Sequence, residues 1–143
     1  MNLSLQLFWA GALTILCLLI HGVGIVAITR LLRLEEPRLR KKRLGMGAFA
    51  LLTGLAICVF LLHASEIAIF ALFYLAADLF PRFGDALYFS AASYSTLGTV
   101  DVALPDIWRV VGAIEGVAGF LLLGWSTAFF VTDMNLLLRE KGA

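Results

Sequence analysis

"SYSTLGTVDVALP", residues Ser93 to Pro105, is small, polar and turn-prone, and it stands between two long apolar runs. Backbone this irregular beside membrane spans must be buried in protein or line water. The surrounding composition makes a membrane setting the natural one. The 143-residue chain is 62% hydrophobic and 15% charged, and its charge-free runs reach the roughly 20 residues that mark membrane helices. Three such runs take up most of the length, so no sizeable soluble domain is expected outside them. A net charge of +1 leaves no footprint for nucleic acid.

The first run spans Leu5 to Leu32, with Gly22 and Gly24 as its weak points. It lacks the basic leader and small-residue cleavage site of a signal peptide, so it reads as a retained helix. The second starts near Met46, is apolar through Leu62, meets "HASE" at His63–Glu66, and resumes to Phe80. At 1.5 Å per residue its roughly 35 residues would reach about 52 Å, against a hydrocarbon core of about 30 Å. The run is expected either to project outward or to break near Ala64. The third covers Ile107 to Leu138. Cys17 and Cys58 lie inside apolar runs, which argues against a framework disulfide and makes both structural bystanders.

Charge sets the orientation. Arg30, Arg33, Arg38, Arg40, Lys41, Lys42 and Arg43 are seven of the 11 Lys and Arg residues, all in one short link. So basic a link stays in the cytoplasm, and Arg139 and Lys141 place the C-terminus on that side, as three spans require. The N-terminus and the segment around Ser93–Pro105 are then outside. The link either only orients the protein or, over Arg38–Arg43, also attracts anionic lipid headgroups.

In the outward segment, Pro81 and Gly84 break the second helix, and Asp85 is a suitable N-cap for a new one. Ala86 to Tyr94 then forms a helix of about two and a half turns, too short to cross. Thr96 to Asp101 follows as extended chain, and Leu104-Pro105 leads to the third span. Short helix, extended strand and return describe a re-entrant loop. The C-terminal end of the short helix carries about half a negative charge and favours a cation on its axis, while extended backbone can turn successive carbonyls toward that axis. Several copies around a symmetry axis are needed to surround an ion.

The stretch "ALYFSAASYSTLGTVDVALPDIWR", Ala86 to Arg109, followed by an apolar helix, resembles the pore region of the two-helix potassium-channel superfamily. It is particularly similar to the small bacterial potassium-channel-like membrane proteins, and the resemblance covers about Leu62 to Val131. The first span is additional to the two-helix design. The resemblance implies a homotetrameric pore whose filter follows the pattern Thr-Val-Gly-Tyr-Gly-Asp. Thr96, Leu97, Gly98 and Asp101 fall on its Thr, Val, first Gly and Asp, while Thr99 replaces Tyr and Val100 replaces the second Gly. A β-branched residue resists the positive φ that glycine takes freely, so the outer filter is expected to differ and potassium selectivity to be reduced. The filter residues Thr96, Leu97, Gly98, Thr99, Val100 and Asp101 are implied to hold K⁺ or another monovalent cation mainly by backbone carbonyls. No other cofactor is expected.

Further polar residues lie within the spans. His63 and Glu66, three apart, share a helical face, and Glu115 lies about eight residues into the third span. Such groups usually face protein or water and find partners. Glu66 or Glu115 is expected to brace the pore loop from behind; a local His63–Glu66 pair and gating by protonation are the alternatives. His21 is placed toward the inner end of its span and His63 toward the outer end of the next, which argues against the two ligating one metal or haem. Trp108 and Arg109 suit the interface. Gly112, Gly116, Gly119 and Gly124 allow close helix contact; alternatively, Gly119 or Gly124 is a gating hinge. Trp125, Ser126 and Thr127 would then approach the inner cavity, with Asp133 at its mouth.

The sequence therefore predicts an all-α integral membrane protein with three membrane helices, a re-entrant pore helix and a filter loop. Residues 1–45 form the first helix and basic link, and residues 46–143 the pore domain. The expected function is passive cation conduction across the inner cell membrane by a homotetramer surrounded by lipid. The rival is a non-conducting pore-like scaffold or regulatory subunit. No nucleophile–base–acid set suggests an enzyme, no arginine series suggests a voltage sensor, and no ligand-binding domain is expected after Ala143.

Overall fold

The computed structural model describes residues 3–40, 46–98, 101 and 103–139. They form α1 (Leu3–Arg40), α2 (Met46–Ala76), α3 (Phe83–Tyr94), a 3₁₀ turn (Asp106–Trp108) and α4 (Arg109–Arg139). Three segments are long and apolar enough to cross a membrane: Leu3–Leu31, Phe49–Ala76 and Asp106–Thr132. The chain is an all-helical, multi-pass membrane protein.

Side-chain contacts fix the helix directions. Gln6 lies beside Val110 and His21 beside Ser126, at separations of 104 and 105 residues, so α1 and α4 run parallel. Glu66 lies beside His21 and Leu62 beside Gly24, so α2 runs antiparallel to both. The short α3 fits between α2 and α4 near the starts of α1 and α4.

Of the two expectations for α2 beyond Leu62, the break near Ala64 is overturned; the unbroken 31 residues, about 46 Å at 1.5 Å each, exceed a hydrocarbon core of about 30 Å. The helix passes through His63 and Ala64 without a break and stops at Ala76, because the hydroxyl and imidazole partners described below satisfy its polar residues within the bundle. Its end has a specific cause. Asp78 takes a left-handed φ of 54°, the Asp78 N–H reaches the Leu75 carbonyl and the Leu79 N–H reaches the Tyr74 carbonyl. This paired closure satisfies the last carbonyls of the helix, and Asp is one of the few residues that visits such a φ readily.

At the start of α3 the residues also differ from expectation. Arg82 holds the N-cap position and Phe83 is the first helical residue. Asp85 is instead the third, where its carboxylate accepts from Arg82 Nε at 2.9 Å and Nη2 at 3.0 Å. Capture by this fork occupies the oxygens that would have capped the backbone, and it holds the exposed guanidinium above its ordinary pKa. An acidic group in the first turn still complements the helix dipole.

Lipid is as apolar as leucine, so packing and hydrogen bonds hold these helices together. One apolar cluster joins all four helices through Cys17, Phe70, Tyr74, Phe80, Tyr94 and Leu122. Tyr74 is fully buried, with Phe73, Phe80 and Phe89 edge-on to its ring at 5.5–6.1 Å. A second cluster, Ile28, Leu55 and Val59 with Phe129 and Phe130, closes the other end. Cys17 and Cys58 are both free thiols.

The glycines of α4 divide by role. Gly112 packs against Phe89 and Leu104, Gly116 against the Ser93 carbonyl, and Gly119 against the carbonyl and ring of Tyr94. A Cβ at Gly119 would collide with that carbonyl, so Gly119 marks a close approach of α3 to α4. Gly124 has no such neighbour. Helix α4 is continuous through both. Gly119→Ala should therefore destabilise the protein by about 1–3 kcal/mol, as overpacking does. Gly124→Ala should be neutral or stabilising by up to about 1 kcal/mol from helix propensity. Thermal unfolding of the two variants in detergent measures the contrast.

Candidate ion-conduction site

Helix α3 carries its polar contacts at positions one turn apart. Ser90 and Tyr94, spaced i and i+4, share a face. Ser90 Oγ donates to Glu115 Oε1 at 2.5 Å and also lies 2.8 Å from the Ile67 carbonyl. The Tyr94 hydroxyl donates to Glu66 Oε2. Successive turns of α3 are thus held by two carboxylates, Glu66 from α2 and Glu115 from α4, each with no exposed surface. Ser93 adds a bond from its hydroxyl to the Gly112 carbonyl at 2.7 Å. Glu115 Oε2 accepts from Tyr74 at 2.6 Å, which ties α2 to α4 behind α3.

The chain leaves α3 through a second left-handed closure. Thr96 has φ 60°; its N–H reaches the Ser93 carbonyl, and the Leu97 N–H reaches the Ala92 carbonyl. Glycine usually fills this position, and a β-branched residue there is an outlier. Gly98 follows at φ 73°. The extended run expected from Thr96 onward is therefore replaced at Thr96 and Gly98 by left-handed backbone, because capping the last carbonyls of α3 takes precedence. Leu97 stands 72% exposed between them. Ser93, Thr96 and Gly98 border an open groove of about 420 Å³ whose far wall is Gly112, Gly116 and Phe120 of α4. Asp101 is exposed. Thr99 and Val100 lie outside the described residues, as does the side chain of Asp133.

A second polar centre adjoins Tyr94. His21 Nδ1 donates to Glu66 Oε1 at 2.8 Å, and His63 Nδ1 lies 3.2 Å from Glu66 Oε2 and 2.7 Å from the Tyr94 hydroxyl. Ser126 Oγ is 3.0 Å from His63 Nε2 and 3.2 Å from His21 Nε2. The imidazole rings are 5.2 Å apart, so the expected mismatch in depth is wrong. His21 lies 10 residues from Leu31 and His63 lies 14 from Phe49, an offset of about 6 Å along antiparallel helices that the side chains bridge. Ser126 is correspondingly buried inside the subunit and is not placed toward an inner cavity. The Trp125 ring packs 5.4 Å from that of His21. Sequence reasoning identified Glu66 and Glu115 but not their partners Tyr74, Ser90 and Tyr94; the i, i+4 spacing of Ser90 and Tyr94 was the available signal.

The fold is that of a membrane protein in which a short helix and a loop lie between two membrane spans, α2 and α4. A family model described as ion channel, that of two-helix potassium channels, matches residues 56–135. The chain belongs to this potassium-channel-like family. The match begins inside α2 and ends inside α4, and so takes in both carboxylates, α3 and the loop. No curated protein and no solved structure matches the chain.

Replacing Glu115 with Leu removes the acceptor of the buried Tyr74 hydroxyl and should cost about 1–3 kcal/mol. Adding Tyr74→Phe removes the orphaned donor as well. The double variant should therefore be less destabilised than the sum of the two single changes, as measured by thermal unfolding of the four proteins.

Proposed function

We propose that the chain is one subunit of a cation channel, in which four copies around one axis pass K⁺ or another monovalent cation down its electrochemical gradient. The observation that carries this reading is the attachment of α3 to Glu66 and Glu115. It holds the C-terminal end of α3, and the Thr96–Gly98 loop after it, at one place beside α4. That end favours a cation through its dipole, and four loops of this kind can replace an ion's hydration shell with carbonyls. The assigned filter is Thr96, Leu97, Gly98, Thr99, Val100 and Asp101, with Glu66 and Glu115 as its supports. Gly124 is the better candidate for a hinge, since Gly119 is committed to packing. Residues 46–143 form the pore unit, with residues 1–45 added to it.

A non-conducting scaffold is the second reading. Thr96 in a left-handed conformation and the replacements at Thr99 and Val100 favour it. Flux into liposomes carrying the purified protein, with reversal potentials under K⁺/Na⁺ gradients, separates the two. Conduction with a K⁺ preference weaker than that of the family pattern is expected, and Thr99→Tyr with Val100→Gly should raise the preference. Absence of flux in both proteins would favour the scaffold.

We place the protein in the inner cell membrane, with the N-terminus outside and the C-terminus in the cytoplasm. The basis is the cation-rich link, which follows the positive-inside rule and can also attract anionic lipid over Arg38–Arg43. A cysteine at Lys42 should resist an impermeant thiol reagent added to intact cells, whereas one at Asp106 should react. The opposite labelling pattern would reverse this topology.

A further inference from the structure

The cluster around Glu66 contains more polar groups than bracing α3 requires. His21, His63 and Glu66 each offer a ligand atom, all within 4.8 Å of one another, and all three side chains are buried. They come from α1 and α2, while Tyr94 at the end of α3 and Ser126 of α4 complete the contacts.

Counting protons shows what the cluster lacks. Glu66 Oε1 receives the His21 Nδ1 proton. One assignment of the remaining contacts has His21 Nε2 accept the Ser126 hydroxyl proton and Ser126 accept from His63 Nε2. His63 Nδ1 is left with a bare lone pair, 3.2 Å from an oxygen of a carboxylate that can only accept. The Tyr94 hydroxyl lies against both and has one proton for two acceptors. With the other tautomer of His63 the shortfall moves to Ser126, which has one proton for two ring nitrogens, so the cluster as a whole lacks one positive centre.

We propose that His21 Nδ1, His63 Nδ1, a Glu66 oxygen and the Tyr94 oxygen form a binding site for a divalent transition metal ion of the zinc class. Donors around a tetrahedral ion stand about 3.3–3.6 Å apart, so the hydrogen-bonded separations of 2.7–3.2 Å here would open by up to about 0.9 Å on binding. The orientation of the two rings is what favours a metal over a proton. Both imidazoles turn Nδ1 toward the carboxylate and Nε2 toward the same Ser126 oxygen. A ligating histidine characteristically donates its other N–H to such an outer partner, and one hydroxyl oxygen has two lone pairs for two donors. Two nitrogens and two oxygens suit Zn²⁺, Co²⁺ or Ni²⁺ better than Ca²⁺ or Mg²⁺. Bound there, the ion would join the first span to the outer helix of the pore unit and to the residue two positions before Thr96.

The test uses the full chain in detergent, stripped with a chelator and titrated with Co²⁺, with zinc content measured separately by mass spectrometry. One ion per chain and the visible absorption of tetrahedral cobalt are expected, together with a melting temperature that falls when the chelator is added. His63→Gln should abolish the cobalt spectrum. Ser126→Ala, which keeps all four ligands, should retain it with an affinity weakened about 10–100-fold. A folded native protein without the spectrum, or one whose metal content is unchanged by His63→Gln and whose affinity is unchanged by Ser126→Ala, would overturn the site. The cluster would then be closed by a proton alone.

Discussion

The hold of two buried carboxylates, Glu66 of α2 and Glu115 of α4, on α3 is the constraint on which the rest of the arrangement depends. A short helix inside a membrane protein has free polar ends and too little surface to hold itself in place. Here Glu115 of α4 takes the Ser90 hydroxyl and Glu66 of α2 takes the Tyr94 hydroxyl one turn later. Isolated carboxylates at this depth are costly, and each is stabilised only because the hydroxyls and imidazoles around it are fixed by packing. Helix and carboxylates therefore position one another, and the loop after α3 inherits its location from that mutual fit.

The small residues of α4 make the fit possible. Gly112, Gly116 and Gly119 present backbone to Phe89, Ser93 and Tyr94, so α4 comes close enough for Glu115 to reach α3. The aromatic edges around Tyr74 close the space behind. Much of the outward surface remains apolar, with Val23, Phe60, Val117 and Phe120 largely exposed on the single chain, a character suited to lipid and to neighbouring copies.

The sequence made the spans, the short helix and the two acidic residues legible because each leaves a local signal: charge-free length, a pair of breakers, and a carboxylate where none is expected. The meeting of His21 with His63 is hidden because apolar runs fix depth only to within a few residues, and an offset of about 6 Å along the helices is bridged by side chains. Asp85 does not cap α3, because Arg82 competes for the same oxygens. The left-handed turn at Thr96 was also out of reach, since nothing in a β-branched residue announces it; the need to close the last carbonyls of α3 decides it. The resemblance of the filter segment extends to Thr96, Leu97, Gly98 and Asp101, and the departures at Thr99 and Val100 remain its most informative residues.

The account stands or falls on whether the loop after α3 faces an ion path shared by several copies. A density map of the protein assembled in lipid discs and equilibrated with rubidium tests this most directly. Four subunits with rubidium on the central axis, level with Thr96 to Gly98, are the result the account predicts. Loops facing lipid, or a central axis closed by side chains with no cation along it, would contradict it.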